Sequence, residues 1–579
     1  MFEGEKKLKR RSRRLIGFTL AAILLVLTAC SNNKGNNAQS PVQSSEASGT
    51  ASTPSSPTAS ETNGMNADGK YDPPITLTTV KPQEITVKFT DGDSMENNVW
   101  TRAYEEKYGI KVKTLWSVDP SQYAQKMNLT IVSGEIPDFF RATATQFKQL
   151  ADADLLADLT DVYAKQATDS VKSLLTEEGN LALDSATIDG KLMGIPFTTP
   201  SREGAQALYV RTDWLKKLNL PEPKTMEDVY KISEAFTTQD PDNNGKQDTY
   251  GLAVDKDFIL LTGFFNSFHA YPGSFASNLV NFFLKDSSGN LTSGTIQPEV
   301  KAALGKLQQL FKAKQIDPEF GAKDTTKVYE MISNGKIGMM YGPYYTPLFP
   351  LQGGKDKDPS MEWKAFPIFS VDSTPAKSQT VLGVDGYWVV KKGVEHPEAI
   401  LKMLDFWNET FYKNTSDEIQ RKFNSSEDGN QIWLLNNIAA YKAFKNVDES
   451  RRIIAALDSK DTSKLNAEEK GVYEKILKFQ KGDQTNWGWA QIFSKGGTMS
   501  ISDYYRQNDL YVTDEFTTAP LDSMVEKQPV LTKLHAETFT KIILGLAPVD
   551  EFDNFTKKWL ELGGSEVLAD VNKWYKTKK

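Results

Sequence analysis

Oxygen-bearing side chains recur at alternate positions over residues 240–248, where the sequence reads DPDNNGKQD. Hard cations such as Ca²⁺ take about six to eight oxygen ligands, and a tightly curled loop with this spacing directs its ligands toward one point. Gly245 stands where such a loop must turn sharply. The spacing therefore predicts a calcium site whose ligands are Asp240, Asp242, Asn244, Asp248 and the backbone carbonyl of Lys246.

This loop is not a complete EF-hand. Its twelfth position, which normally carries a bidentate Glu, is Gly251. The alternative interpretation is an Asx-rich turn between a helix over 227–236 and a strand over 250–254. We favour a structural calcium ion, because weak sites suffice where ambient calcium is plentiful.

Cys30 is the only cysteine among 579 residues, and it ends the run Leu27-Thr28-Ala29-Cys30. The basic segment 6–14 precedes an apolar stretch, 15–29, that is too short for a membrane span of about 20 residues. This order is typical of a secretory signal, and a cysteine after small residues resembles the lipobox of bacterial lipoproteins. The resemblance implies that Cys30 is lipidated and holds the chain on the outer face of a cell membrane. The alternative is a secretory signal followed by an incidental cysteine.

Composition limits the partners. The net charge is -7, and it becomes -12 without residues 1–29, which carry seven basic and two acidic side chains. So acidic a chain is a poor candidate for binding nucleic acid, and its charge argues weakly against strongly anionic ligands. A lone cysteine excludes an internal disulfide, so stability must come from core burial.

Residues 31–70 hold almost no apolar side chains and are expected to form a flexible tether, whose length points to a Gram-positive cell.

Alternating patterns predict parallel α/β structure after this tether. Residues 85–89 and 110–114 have strand period, and residues 95–108 between them have a helical face followed by Gly109. A helix over 120–134 and a short strand over 136–140 follow. Ligands of open α/β sheets bind outside the carboxyl ends of strands. Asp93 and Arg141, which follow two predicted strands, are therefore candidate ligand contacts; ordinary turn chemistry is the alternative.

Seven short motifs occur in an order that resembles family 1 extracellular solute-binding proteins, the capture subunits of ABC importers. No motif is decisive alone; their order along the chain carries the resemblance, which covers essentially all of residues 80–579. They are Ser133–Asp138, Asp189–Phe197, Leu208–Leu215, Gly335–Met340, Gly386–Val390, His396–Ala399 and Trp559–Gly564.

The resemblance implies an α/β, two-lobe periplasmic-binding-protein-like fold of type II, hinged around a central cleft. Crossings between the lobes are expected near 197–206, near 382–388 and once more late in the chain. The implied divisions are a signal (1–29), a lipidated tether (30–74), N-lobe parts (75–202 and 382–480), a C-lobe part with the calcium loop (203–381) and a closing segment (481–579). The implied partners are an oligosaccharide, ABC permease subunits and the lipid bilayer, and the chain is expected to be a monomer.

Aromatic side chains are candidates for stacking on sugar rings, while polar groups would meet the sugar hydroxyls. Trp487 follows a predicted loop, and Gly488 beside it would let the rings of Trp487 and Trp489 point in different directions. The resemblance adds Tyr344 at a turn that lines the cleft, Tyr271 downstream of the calcium loop, and Asp385 and Trp388 at a crossing. Alginate-binding members carry an acidic calcium ligand where Thr249 stands here, so the missing ligand must come from Thr249, from water or from a distant carboxylate.

Two other functions stay open. A tethered, aromatic-rich secreted protein could be a polysaccharide-degrading enzyme, which would need two carboxylates across a cleft. The sequence holds three histidines and neither a Gly-x-Ser-x-Gly nor an HExxH motif, so an enzyme is disfavoured. An adhesin would be expected to show β-rich repeats, and no internal repeat is found.

Overall fold

The computed structural model describes residues 64–66, 68–83, 87–89, 92–273, 282–414, 416–425, 430–518 and 520–577. The predicted signal, Cys30 and the tether up to residue 63 lie outside them. Within these ranges, no helix combines the length and the hydropathy that a membrane crossing requires. Structure begins earlier than the predicted end of the tether, since residues 64–65 pair with residues 71–72.

Seventeen β-strands occur in the described ranges. They are β1 Gly64–Met65, β2 Tyr71–Asp72, β3 Ile75–Pro82, β4 Ile110–Val118, β5 Phe139–Ala142, β6 Thr187–Ile188, β7 Lys191–Leu192, β8 Ile195–Thr198, β9 Ala207–Arg211, β10 Tyr250–Leu252, β11 Phe283–Lys285, β12 Leu291–Ser293, β13 Ile337–Gly342, β14 Trp363–Pro367, β15 Ser378–Thr380, β16 Val384–Val390 and β17 Tyr511–Thr513.

The α-helices surround and connect these strands. They are α1 Val99–Tyr108, α2 Pro120–Ser133, α3 Ala144–Asp152, α4 Thr160–Gln166, α5 Asp169–Leu175, α6 Leu181–Ser185, α7 Thr212–Lys217, α8 Met226–Thr238, α9 Thr262–Ser267, α10 Pro298–Lys312, α11 Thr325–Ser333, α12 Gln352–Lys357, α13 Ala399–Asn408, α14 Asp417–Ile419, α15 Lys445–Ser459, α16 Ala467–Gln480, α17 Trp487–Phe493, α18 Thr498–Gln507, α19 Asp522–Ile543, α20 Glu551–Trp559 and α21 Ser565–Thr577.

The first βαβ unit confirms the predicted helix but not the predicted first strand. Asn98 caps α1 by accepting from two backbone N–H groups, and Gly109 ends the helix with a left-handed φ of 68°. The parallel partner of β4 is β3, whereas the described residues 87–89 lie in no strand. Ile75 and Leu77 of β3 are buried, whereas Phe89 is exposed. The strand therefore forms from the threonine-rich segment 75–82, whose apolar side chains pack into the core, and not from the later segment.

Two large hydrophobic cores form around two separate sheets. The first core draws on residues 71–195 and 387–440 and surrounds the antiparallel sheet β5-β16-β8. The second draws on residues 205–376 and 487–571 and surrounds the sheet β10-β13-β9-β14. This is a two-lobe α/β architecture. A third, smaller core lies over residues 447–499. The sequence does not predict it, since most of this segment falls in the expected N-lobe part 382–480. The predicted domain boundaries stay predictions.

The chain passes between these cores at 196–204, 377–386 and 441–446. Hydrogen bonds join the three passages side by side. The Thr199 backbone N–H donates to the Gly383 carbonyl at 2.8 Å, and the Thr198 hydroxyl donates to the Tyr441 carbonyl at 2.8 Å. Such a narrow waist of crossing segments is where a hinge between two lobes is placed.

Two charged residues of the first passage connect the neighbouring elements. Arg202 forms an ion pair with Glu178 and donates to the hydroxyls of Thr380 and Thr513 at 2.7 and 2.6 Å. Glu203 is fully buried and accepts from the Val447 N–H at 3.1 Å and from the Asn446 side chain at 2.6 Å. Helix α15 has no side-chain cap of its own, so Glu203 caps its N-terminus from another segment.

Candidate functional site

Strand register brings two of the predicted ligand contacts together. Trp388 on β16 pairs with Arg141 on β5 and with Ile195 on β8. Residues directly opposite each other in a sheet share one face. The Arg141 and Trp388 side chains therefore emerge on the same face, although 246 residues separate them in the sequence.

Both side chains line an open pocket on this face of the sheet. The pocket is lined by Val80, Lys81, Pro82, Tyr123, Arg141, Phe197, Trp388, Trp433, Leu434, Asn436, Asn437, Ile438, Ala439 and Tyr441.

Aromatic rings form much of this lining. Phe197 meets Trp388 edge to face, with ring centroids 5.8 Å apart, and Tyr441 at 6.0 Å. The Arg141 guanidinium lies over Phe197, 4.9 Å from the ring centroid. Trp433 and Tyr441 are likewise edge to face at 6.0 Å. Aromatic planes combined with a few polar groups are suited to holding a ligand that has both apolar faces and hydroxyls.

Three indoles, of which those of Trp100 and Trp407 are buried and that of Trp388 is half-buried, hold the segment 430–441, which supplies half of the lining. Trp388 Nε1 donates to the Ala439 carbonyl and Trp407 Nε1 to the Ala440 carbonyl, both at 2.8 Å. Trp100 Nε1 donates to the Ile432 carbonyl at 3.1 Å. Because the donors lie on a strand and two helices of the first core, the segment is fixed by that core rather than by its own secondary structure.

The polar groups of the pocket include two that sequence reasoning missed. The Asn436 side-chain amide already has hydrogen-bond partners within the protein: it accepts from the Tyr104 hydroxyl and donates to the Ile438 carbonyl. Lys81 donates to the backbone carbonyl of Asn436. Asn437 is only 3% exposed, and neither of its amide atoms has a hydrogen-bond partner in the described part of the chain. No motif marks Asn437, so only its position in the fold could have revealed it.

The prediction for Trp487 is wrong. Trp487 begins helix α17, and its side chain is 0% exposed. The close approach of the Pro347 backbone explains Gly488, because a Cβ there would lie 2.8 Å from the Pro347 carbonyl oxygen. A ring sealed in the second core cannot stack on a ligand.

The other predicted contacts lie outside the pocket lining. Tyr271 is 8% exposed, and burial raises its pKa to about 12. Tyr344 is half-buried, and its hydroxyl accepts from the Asn446 amide at 3.3 Å. Asp93 forms an ion pair with Arg102 at 2.8 Å. Asp385 is exposed on a bulge of β16. These four contacts therefore stay predictions that the pocket does not support.

The predicted calcium loop keeps its oxygen atoms close together. Asn244 Nδ2 donates to Asp242 at 2.8 Å and to Asp248 at 3.0 Å, while Asp240 accepts from the backbone N–H groups of Asn244 and Gly245. Asp242 Oδ1 is buried without a described hydrogen-bond partner, which leaves one oxygen available for a cation.

Two features of the loop disfavour a complete metal site. The Thr249 hydroxyl donates to the Phe236 carbonyl at 2.7 Å, so its side chain is used within the fold. The Lys336 ammonium contacts Asp248 at 2.8 Å and Asp242 at 3.2 Å. Within the ranges that the structure covers, no group of three or more His, Cys, Asp or Glu side chains is arranged to hold a metal ion.

Comparison with known proteins identifies the family. Residues 100–411 match the family described as bacterial extracellular solute-binding protein, which is more than half of the chain. The chain belongs to this family. A curated relative from Bacillus subtilis, the polygalacturonan/rhamnogalacturonan-binding protein YtcQ, is 25% identical over 409 residues, which cover 70% of this chain and 74% of that protein.

Solved structures of other binding proteins share the fold. The Streptococcus pneumoniae ABC-transporter substrate-binding protein FusA in complex with kestose superimposes with a TM-score of 0.57 at 16% identity, covering 87% of this chain and 99% of that one. The alginate-binding protein AlgQ2 without calcium ion gives a TM-score of 0.54 at 15% identity, covering 88% and 99%. The two-lobe fold expected from the sequence motifs is thus confirmed.

Proposed function

We propose that this solute-binding protein captures an oligosaccharide between its lobes and delivers it to the permease of an ABC importer. The observation that carries the proposal is the pocket in which Trp388 and Arg141 share one face with further aromatic rings and the Asn437 amide. Sugar rings present C–H faces to aromatic planes and hydroxyls to amide and guanidinium groups. Two similar proteins support this assignment: YtcQ, a polygalacturonan/rhamnogalacturonan-binding protein, and FusA, whose structure was solved in complex with kestose.

Closure of the lobes would complete the site. The pocket belongs to the first core alone, and the bonded passages at Thr198, Gly383 and Tyr441 provide a waist about which the second lobe can swing. A ligand that contacts both lobes favours the closed form by its additional contacts there.

A binding role is favoured over hydrolysis by the composition of the pocket. Glycoside hydrolysis requires a pair of carboxylates flanking the bond that is cleaved. None of the described lining residues is Asp or Glu. The families and relatives that the chain resembles are solute-binding proteins, and we propose that this chain also performs no catalysis.

Titration with an oligosaccharide panel tests the function. Trp388 and Trp433 line the pocket, so saturable ligand binding should change the tryptophan fluorescence of the purified full chain. Trp388→Ala should weaken binding about tenfold or more, because a stacking plane and the bond to Ala439 are lost. Trp489→Ala is the matched control, since Trp489 packs on Phe493 outside the pocket. Turnover of any sugar, with saturable binding of none, would reverse the assignment to a binding protein.

We also propose that the 240–248 loop binds calcium weakly and that Lys336 competes with the ion. The carboxylates of Asp240, Asp242 and Asp248 and the Asn244 carbonyl oxygen would hold it, and the ion would stiffen the loop. Ammonium and calcium cannot both neutralise Asp242 and Asp248, because Lys336 contacts both carboxylates.

Lys336→Met should therefore tighten calcium binding by about three- to tenfold, in keeping with the loss of a partly exposed ion pair. Isothermal titration with CaCl₂ measures the change. Lys327→Met, which removes a lysine paired with Glu330 elsewhere, controls for the charge. Unchanged calcium affinity in Lys336→Met would show that the ammonium does not compete.

We also propose that the chain is a monomer anchored by lipidated Cys30 on the extracellular side of the membrane. Support comes from the run that ends at Cys30 and from the membership of an extracellular family. Fractionation of cells that express the full chain, with Cys30→Ser as the comparison, distinguishes an anchored from a released protein.

A further inference from the structure

The pocket carries positive charge in an acidic protein. Its charged lining residues are Lys81 and Arg141, and no acidic side chain is among the lining residues that the structure describes. The whole chain, by contrast, holds 75 acidic and 68 basic residues. A local excess of cations in a concave, aromatic-walled site attracts a negatively charged group of the ligand.

Arg141 differs from the other arginines of the described chain. Each of the other seven lies within ion-pair distance of a carboxylate: Arg102, Arg202, Arg211, Arg421, Arg451, Arg452 and Arg506. Arg141 has no such carboxylate among the described residues. Its guanidinium lies over Phe197 and, at 5.9 Å, over Tyr123. Those aromatic faces hold the guanidinium plane in place while its N–H donors stay available for a ligand.

Asn437 supplies a second unused group in the same pocket. A buried amide without hydrogen bonds destabilises a protein, so such groups are normally met by a ligand or by water. Asn437 is more than nine-tenths buried, yet both of its amide atoms lack described partners. Its amide can accept from one hydroxyl of a ligand and donate to another oxygen.

We infer that the saccharide bound at this pocket carries a carboxylate, and hence that the ligand is a short uronic-acid-containing oligosaccharide. This inference rests on the proposed function. Arg141 would hold the carboxylate through two parallel N–H donors, Asn437 would bind neighbouring ring oxygens, and Trp388 would cover the apolar face of the sugar. The net negative charge of the whole chain disfavours long polyanions but leaves this local pairing intact, because charges beyond about 10 Å are screened by salt.

A pair of ligands that differ only in charge tests the inference. Trimeric galacturonate and its fully methyl-esterified form have the same rings and linkages, and titration calorimetry of the full chain measures both. We expect the acid to bind about 30-fold or more tightly than the ester, because the guanidinium pairs with carboxylate only. Rising salt should weaken binding of the acid and leave the ester almost unchanged.

Variants of the two unused groups complete the test. Arg141→Gln should abolish the preference for the acid, while Arg141→Lys should keep part of it. Asn437→Asp preserves the shape of the side chain and adds a negative charge. It should lower the affinity for the acid far more than the affinity for the ester. Arg102→Gln is the matched control, since Arg102 is paired with Asp93 outside the pocket. Thermal melting of each variant checks that it folds.

The outcomes separate this inference from the proposed function. Equal binding of acid and ester, or an acid affinity that Arg141→Gln leaves unchanged, overturns the uronate inference and leaves oligosaccharide capture standing. Tighter binding of a neutral oligosaccharide than of the acid also overturns the uronate inference and leaves oligosaccharide capture standing. Binding of no member of a charged and neutral panel overturns the proposed function together with the inference.

Discussion

Trp407→Ala is expected to lower the free energy of unfolding by about 3–5 kcal/mol, the range for removing a fully buried large aromatic side chain. Trp407 is 0% exposed and stacks on Phe411 with ring centroids 4.2 Å apart. Its edge also meets Tyr441 of the pocket at 5.4 Å. Chemical denaturation followed by circular dichroism measures the loss.

The same substitution should weaken ligand binding even though Trp407 does not line the pocket. Its indole N–H donates to the Ala440 carbonyl, and without it the segment that carries Asn437 loses one of its three hydrogen bonds from indoles. We expect about a tenfold loss of affinity, because the segment would have to be ordered at the moment of binding.

Trp407→Phe separates packing from anchoring. It keeps an aromatic ring on Phe411 but leaves the Ala440 carbonyl without its donor, which should cost about 1–3 kcal/mol. A Trp407→Ala protein with unchanged affinity for its ligand would show that the segment 430–441 is positioned without the indole.

Glu203 is expected to make the stability of the protein fall as the pH rises from about 4.5 to 7. Burial raises the pKa of Glu203 from 4.5 to about 7, against the opposing effect of the N–H groups that donate to it. The folded state therefore binds a proton that the unfolded state releases over this pH range. The stabilisation is complete below the unfolded pKa and is lost as the pH passes the folded one, with a total of about 3 kcal/mol.

Glu203→Gln is the matched variant, since it keeps the shape and an acceptor oxygen but does not titrate. The difference in unfolding free energy between Glu203→Gln and the unmodified chain should grow with pH over this window. Burial also raises the pKa of Asp514 to about 7 and of Glu449 to about 8, but both are present in the two proteins and cancel in the difference.

Glu203→Ala should destabilise the protein at every pH, by about 3 kcal/mol or more. It removes the acceptor for the backbone N–H groups of Asn446 and Val447 and for the Asn446 side chain at the start of α15. A pH-independent difference between Glu203→Gln and the unmodified chain would show that Glu203 does not change protonation in this range.

Features set by neighbouring residues were readable from the sequence. Gly109 ends α1, Pro120 begins α2 and Gly134 ends it in a left-handed conformation, all as predicted, because caps and turns depend on backbone geometry that a few residues determine. The order of short motifs likewise indicated the two-lobe fold and the family. Hydrophobic periodicity misplaced the first strand, because it cannot tell which of two eligible segments will be buried.

The ligand pocket was decided by the tertiary structure alone. The sequence proposed Arg141 and Trp388 separately, and only the register of β5 against β16 places them on one face. No sequence motif near Asn437 marks it as a ligand contact. Its side-chain amide is buried without described hydrogen-bond partners because three indoles hold its segment in place. Trp487 failed as a ligand contact because packing against the second core sealed it. Helix caps and turns are determined by neighbouring residues and can be predicted from the sequence. A binding surface depends on contacts between segments hundreds of residues apart and cannot.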